Sequence, residues 1–209
     1  MNLFLLAGII LTSIILILLL LWKFYFLRNP KPNIPEQENT IISPAEGIIA
    51  RIIHFKQGKE QTVEKGLFGK IQLITKDVAK EGYLILIRLH IYNVHYQRAP
   101  IAGTVEKINY TYGKFLNAVK NPESMQCFFQ NEHNEIIIKG KIKCKVIQIA
   151  GYLARRIECF VKEKNKVEKG QEIGLINLGS QVALIIPKCK LIVDEGEKIK
   201  IAQTIGLYK

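Results

Sequence analysis

From Leu3 to Leu21 the chain carries no charge and consists mainly of Leu and Ile. About 20 such residues suffice for one membrane-spanning helix. A cleaved signal peptide would have a basic leading region, a shorter apolar core and a small-residue cleavage site. None of the three is clear here, so the segment reads as a retained anchor. Trp22, Phe24, Tyr25 and Phe26 follow as an aromatic interface belt, with Lys23, Arg28 and Lys31 on the same side. By the positive-inside rule that side is expected to be cytoplasmic and the N-terminus outside. Pro30, Pro32 and Pro35, with Asn33 and Glu36, then stop the helix in a stiff polar linker.

Beyond the linker, short apolar runs rich in β-branched residues alternate with Gly, Pro, Asn and Asp. The pattern predicts strands at 41–42, 47–53, 70–74, 84–89, 103–108, 135–149, 156–162 and 182–186. Two internal echoes sharpen the picture. Residues 43–49 (SPAEGII) parallel 99–105 (APIAGTV), and 161–174 parallel 193–206. The second pair is similar to the turn-plus-strand half-motif of lipoyl and biotinyl carrier domains. Two copies argue for a quasi-symmetric β architecture rather than a solenoid. The expected fold class is therefore mainly β: one β-sandwich or barrel-like domain with lipoyl-type half-motifs, preceded by one N-terminal transmembrane helix. Its divisions are an anchor with its interface belt over 1–28, a linker over 29–40 and the β domain over 41–209.

The chain has 209 residues, enough for one such domain with a real core. Its formal net charge of +12 points to an anionic partner, a membrane surface or a nucleic acid, and does not choose between them. Cys127, Cys144, Cys159 and Cys189 form no CxxC pair and have no His at metal spacing. They suggest reduced thiols and neither a zinc site nor a redox motif.

Near the C-terminus, Gly179-Ser180 stands between two strand-like runs. A hairpin turn is the plain reading of such a dipeptide. The chemical reading is a cofactor precursor. A serine hydroxyl can attack the preceding carbonyl, shift the peptide bond to an ester and eliminate the upstream carboxylate; water then releases ammonia from the dehydroalanine left behind, giving a pyruvoyl group on the new N-terminus. Gly179, without a Cβ, exposes its carbonyl and tolerates the strained backbone this needs.

The segment Leu89-His90-Ile91-Tyr92-Asn93-Val94-His95-Tyr96-Gln97-Arg98-Ala99-Pro100, followed by Gly103-Thr104-Val105 and 113–118 (GKFLNA), resembles the central block of the phosphatidylserine decarboxylases. Residues 26–30 (FLRNP), 43–47 (SPAEG), 148–151 (QIAG), 154–157 (ARRI) and 178–180 (LGS) fall in that family's order. Together they look like its short, single-anchor branch over nearly all of 24–190. The resemblance implies cleavage into 1–179 and 180–209, with the two chains staying associated. It also implies a covalent pyruvoyl cofactor from Ser180 and decarboxylation of phosphatidylserine in an anionic membrane, the carbonyl serving as electron sink. It places His95 at the substrate-side histidine, a candidate to reprotonate carbon after decarboxylation.

Glu46 stands where the family has the Asp associated with self-cleavage. The carboxylate is kept, one methylene farther out, and could assist cleavage or accept backbone N–H groups in a turn. Arg98 stands where longer relatives carry a second histidine. A guanidinium cannot act as a base, so it is expected to hold a carboxylate or phosphate, as are Arg155 and Arg156. At 121–124 (NPES) the chain departs from the family's Asn-Glu-Arg.

Three other readings compete. A single-span adaptor of the membrane-fusion type explains the half-motifs but not the Gly-Ser block, and the sustained heptads of its hairpin are missing. A nucleic-acid binder fits neither the anchor nor the lack of aromatics interleaved with a basic patch. A relative that has lost self-cleavage is suggested by Glu46. Self-association as a homo-oligomer stays open.

Overall fold

The computed structural model describes residues 3–58, 68–116, 125–151, 156–177 and 180–209, with residues 3, 68, 125–127 and 180 described by their backbone alone. Helix α1 (Leu3–Leu20) continues into a π-helical segment, Leu21–Phe26. The helical stretch Phe4–Phe26 has a mean hydropathy of 3.1 and is long and apolar enough to cross a membrane. Its side chains are exposed until Phe26, which is buried against the body of the protein.

That body is mainly β. An eight-stranded antiparallel sheet runs in the order β13 (Lys198–Ile199), β2 (Gly47–Lys56), β3 (Glu81–Leu89), β11 (Ser180–Pro187), β7 (Lys143–Ile149), β6 (His133–Lys139), β5 (Gly103–Thr111), β9 (Lys166–Val167). Two small sheets cover one face. They are β1 (Thr40–Ile42), β14 (Thr204–Leu207), β12 (Lys190–Leu191), and β4 (Tyr96–Arg98), β10 (Glu172–Ile176), β8 (Ile157–Cys159). Against that face pack Ile49, Ile85, Ile87, Val146 and Leu184, together with Ile41, Ile173 and Ile205. The alternate residues Leu84, Leu86, Ile147, Ala183 and Ile185 face the other way. There they bury Ile71 of α2 (Phe68–Thr75) and Phe128 of α3 (Met125–Gln130). A sheet covered on both faces explains why β3 and β11 read as nearly unbroken apolar runs rather than alternating ones.

The echoes in the sequence are the two halves of an internal two-fold. Gly47 and Ile48 pair with Ile199 and Lys198, as Gly103 and Thr104 pair with Val167 and Lys166. The amide of Ile42 donates to the Pro100 carbonyl, and that of Arg98 donates to Pro44. Glu195 accepts the Ile52 amide at 2.5 Å where Glu163 accepts that of Ile108 at 3.0 Å. Left-handed backbone recurs at matching turns, Lys164 (φ 71) with Gly196 (φ 84) and Gly170 (φ 83) with Ala202 (φ 62). The axis passes through the Leu184–Val146 pair at the centre of the sheet.

One repeat is continuous, from β4 to β10. The other consists of β1–β3 and β11–β14, so the continuous repeat is inserted where a β3–β11 hairpin turn would otherwise lie. The two crossings between repeats, the segment leaving Leu89 and the segment entering Ser180, therefore lie at one end of one strand pair, where Leu89 faces Ser180.

Three expected strands differ. Residues 70–74 lie in α2, where Ile71 and Thr75 point inward four residues apart while Leu73 is exposed, so burial on a helical period overrides β propensity. The run 135–149 is a hairpin, β6 and β7, turning at Gly140 with that amide bonded to the Ile142 carbonyl. Of 156–162 only Ile157–Cys159 is strand.

Candidate active site

Ser180 opens β11 opposite Leu89, and the next residue, Gln181, is buried between Arg88 and Ile149. Gly179 and Arg155 lie outside the described residues. The loop after Leu89 is drawn tight by Asn93, whose amide donates to the His90 carbonyl at 3.0 Å and whose Oδ1 accepts the His90 amide at 2.8 Å. The same side chain donates Nδ2 to Glu46 Oε1 at 2.8 Å. Ser43 closes the neighbouring turn through its own hydroxyl, donating to the Ala45 carbonyl at 2.6 Å. The Glu46 carboxylate therefore engages the loop that connects Ser180's strand partner to His95.

His95 is fully buried. Its carbonyl accepts the Ile176 amide at 3.1 Å, which ties the histidine to the end of β10, just before the chain returns to β11. Burial pushes the imidazole pKa down to about 4; a backbone hydrogen bond with Asn93 opposes this and the Arg28 charge adds to it. At neutral pH the imidazole is uncharged. Part of the burial comes from the N-terminal apolar helix, because the Phe26 ring lies 4.3 Å from the His95 ring between centroids, with Trp22 stacked on Phe26 at 4.7 Å.

Beneath His95 runs a chain of buried amides that carries no role in the sequence reading. Gln97 Nε2 donates to the His95 carbonyl at 2.7 Å, Gln148 Nε2 to Gln97 Oε1 at 2.8 Å, and Asn134 Nδ2 to Gln148 Oε1 at 2.9 Å. A Cβ on Gly174 would stand 2.4 Å from Gln148 Nε2, so glycine there leaves room for the amide. The available signal was the glutamine itself, polar in the apolar strand 143–149; a buried polar group must find partners. Asn131, also buried, plays a similar part. It bonds both main-chain groups of Leu116 and the Ala150 carbonyl, bringing the start of the 113–118 motif to the 148–151 motif.

The arginines serve other partners. Arg98 is 7% exposed, and its guanidinium donates to Asn29 Oδ1 at 2.6 Å and the Gly170 carbonyl at 3.0 Å, with Glu172 at 3.5 Å. The carboxylate it meets belongs to its own chain, and the contact welds the juxtamembrane segment to β10. Arg156 is exposed and pairs with Glu158 at 3.2 Å. Arg28, for which the sequence reading had only a topological role, donates to the Tyr92 carbonyl and, at 2.9 Å, to that of Tyr25.

Beside the Glu46–Asn93 bond opens a cleft of about 210 Å3, bounded by Glu46, His90, Tyr92, Asn93, Lys198 and Lys200. Glu46, Asn93 and a cationic rim border this cleft, while Ser180 opens its strand opposite Leu89 and His95 ends the loop that leaves Leu89.

Comparison with known proteins gives the family. A family profile described as phosphatidylserine decarboxylase matches residues 19–207. The phosphatidylserine decarboxylase proenzyme of Syntrophus aciditrophicus is 35% identical over 188 residues, 88% of this chain and 78% of the relative. That of Carboxydothermus hydrogenoformans is 36% identical over 190 residues, 90% and 79% of the two chains. That of Desulfotalea psychrophila is 35% identical over 197 residues, 92% and 82%.

Proposed function

The chain belongs to the phosphatidylserine decarboxylase family, and on that premise we propose that it is a self-processing enzyme converting phosphatidylserine to phosphatidylethanolamine at a membrane. What supports the residue assignment is that Ser180 opens its strand opposite Leu89, while the loop leaving Leu89 bonds Glu46 through Asn93 and leads to His95, whose carbonyl is tied to Ile176.

Cleavage falls between Gly179 and Ser180, and the residues at hand suit a pyruvoyl group. A new N-terminus at Ser180 begins a strand whose pairings with β3 and β7 do not depend on the bond before it. When formed, the group supplies a carbonyl that takes up the electron pair left as carbon dioxide departs. The small chain, 180–209, carries β11 at the centre of the sheet and β12–β14 around it, so the two products remain one folded body.

His95 is uncharged at neutral pH. An anionic substrate entering beside it favours the imidazolium, so a proton is taken up with the substrate and stands ready for the carbon that loses the carboxylate. Glu46 and Asn93 hold the loop that delivers this imidazole, and the Gln97–Gln148–Asn134 chain fixes its main chain. Glu46 also stands ready to assist cleavage. Arg98 positions the juxtamembrane segment, and Arg155 and Arg156 remain candidates for phosphate. Residues 1–28 anchor, 29–40 link and 41–209 carry the site, on the cytoplasmic side by the Lys23, Arg28, Lys31 bias.

Intact mass of the purified protein tests this reading. Two chains are expected, the smaller beginning at residue 180, blocked to N-terminal sequencing and reactive with carbonyl reagents, and Ser180→Ala should stay whole. An active protein of one uncut chain would overturn it.

A further inference from the structure

The 90–93 loop carries apolar side chains that the fold does not cover. Ile91 is 56% exposed and Tyr92 51%, while Asn93, Val94 and His95 immediately after them are buried. The loop is nevertheless held in place, by the Asn93 bonds to His90 and by Tyr92 stacking on His90 at 5.1 Å between centroids and 4° between planes. It sits on the last turn of the membrane helix. Arg28 donates to the carbonyls of both Tyr92 and Tyr25 and lies over the Tyr25 ring at 4.8 Å. Beside this clamp Phe24 is 69% and Tyr25 53% exposed, so uncovered apolar groups from two parts of the chain adjoin at the point where the helix ends.

Resting on the reading that this chain acts at a membrane, we propose that the 90–93 loop is a second membrane contact. Ile91 and Tyr92 enter the interfacial layer of the leaflet that the anchor leaves, and the cleft bounded by Glu46, His90, Lys198 and Lys200 opens onto that leaflet's headgroups. Continuity with the membrane-spanning helix selects lipid over a second copy or another protein as the occupant. Aromatic and aliphatic groups at a helix end are the groups that settle at the acyl–headgroup boundary. The rim chemistry agrees. Lys198 and Lys200 are exposed on either side of buried Ile199, so both project from one face of the strand end at the cleft, where cations are attracted to an anionic leaflet. Because the loop also carries Asn93 and ends at His95, its seating in the leaflet holds the recess toward the lipids.

Trp22 is the single tryptophan, which permits a direct test. In a Trp22→Phe background, Tyr92→Trp or Lys141→Trp is introduced into the full chain and reconstituted in phosphatidylcholine–phosphatidylglycerol vesicles. Lys141 lies in the hairpin turn at the far end of β6 and β7. Acyl-brominated lipid should quench the probe at 92 about threefold or more above the probe at 141, aqueous iodide should do the reverse, and Ile91→Ser should weaken the lipid quenching. Equal lipid quenching at the two positions, with iodide reaching 92 freely, would overturn the proposal. So would quenching protection at 92 that grows with the protein-to-lipid ratio, which would assign the surface to a second copy. Quenching requires no turnover. Failure of the decarboxylase reading would appear as missing product with lipid contact intact, and failure of this proposal as product formed with the loop in water.

Discussion

The Phe26 ring, last residue of the N-terminal apolar helix, rests 4.3 Å from the His95 ring between centroids. The contact covers part of the imidazole whose burial lowers its pKa. Removing the ring admits water to the imidazole, which stabilises the charged form and raises the pKa from about 4 toward the ordinary 6.5. In the uncleaved Ser180→Ala chain in detergent, the His95 ring resonances should titrate near 4, higher in Phe26→Ala and still low in Phe26→Leu. The linked stability has a definite sign. The folded pKa lies below the unfolded one, so stability is full above 6.5 and is lost as pH falls toward 4, by about 3 kcal/mol. Phe26→Ala should lose less over that window, although it starts from a lower value. Identical titration in the three proteins would mean that Phe26 does not control the burial of His95.

The two-fold makes a second prediction, because its matched turns carry different residues. Gly170 at φ 83 lies under the linker, and a Cβ there would stand 2.2 Å from Ile34 Cδ1. At the equivalent place Ala202 adopts φ 62 with its own methyl buried. Gly170→Ala adds both left-handed strain and a clash, and should cost about 2 kcal/mol or more. Ala202→Gly relieves strain but frees the unfolded chain and loses a buried methyl, so it should be nearly neutral, within about 1 kcal/mol. Thermal unfolding of both, and of Gly170→Ala with Ile34→Ala, decides the matter; if the second change restores nothing, the linker is not what occupies the space above Gly170.

Glu46 accepts a hydrogen bond from the side-chain amide of Asn93. If the carboxylate itself assists self-cleavage, Glu46→Gln should slow the appearance of the small chain even though it can still bond Asn93. Glu46→Asp should process at least as well as the parent, and enzyme cleaved beforehand should keep its turnover. Normal cleavage in Glu46→Gln would reduce Glu46 to a support for the loop.

Much of this arrangement was legible in the residues. The echo of 43–49 in 99–105 marks the strands that lead into the matched turns, and the echo of 161–174 in 193–206 marks the turns themselves, because a local motif that repeats must find equivalent partners. What could not be read was anything set by partners far away in the chain. Residues 70–74 look like a strand until a sheet face is available for Ile71 to cover. Arg98 looks like an anion receptor until Asn29, Gly170 and Glu172 surround it. Gln148 was visible as a polar residue among apolar ones, yet its bond to Gln97 at 2.8 Å joins strands of two different sheets and exists only in the folded protein.

Cofactor formation and catalysis should come apart at His95. The bond to be broken lies beside Ser180, whose backbone is placed by β3 and β7, while His95 is held separately by Ile176, Gln97 and the loop. Its two main-chain ties do not involve the imidazole, so His95→Ala should leave the strand ends in register and still yield cleaved chains, at least in part. Turnover should nevertheless fall by about 10²–10⁴-fold, the usual contribution of a positioned proton donor. The measurement is paired: fragment yield by mass spectrometry, and carbon dioxide released from phosphatidylserine in anionic vesicles by the cleaved fraction. Full processing with parental turnover would make the imidazole a bystander and assign the proton to water or another group. Complete failure to process, in a chain that still unfolds cooperatively, would mean that the uncharged imidazole is the base for the Ser180 hydroxyl, a role that a guanidinium in the place of Arg98 does not supply.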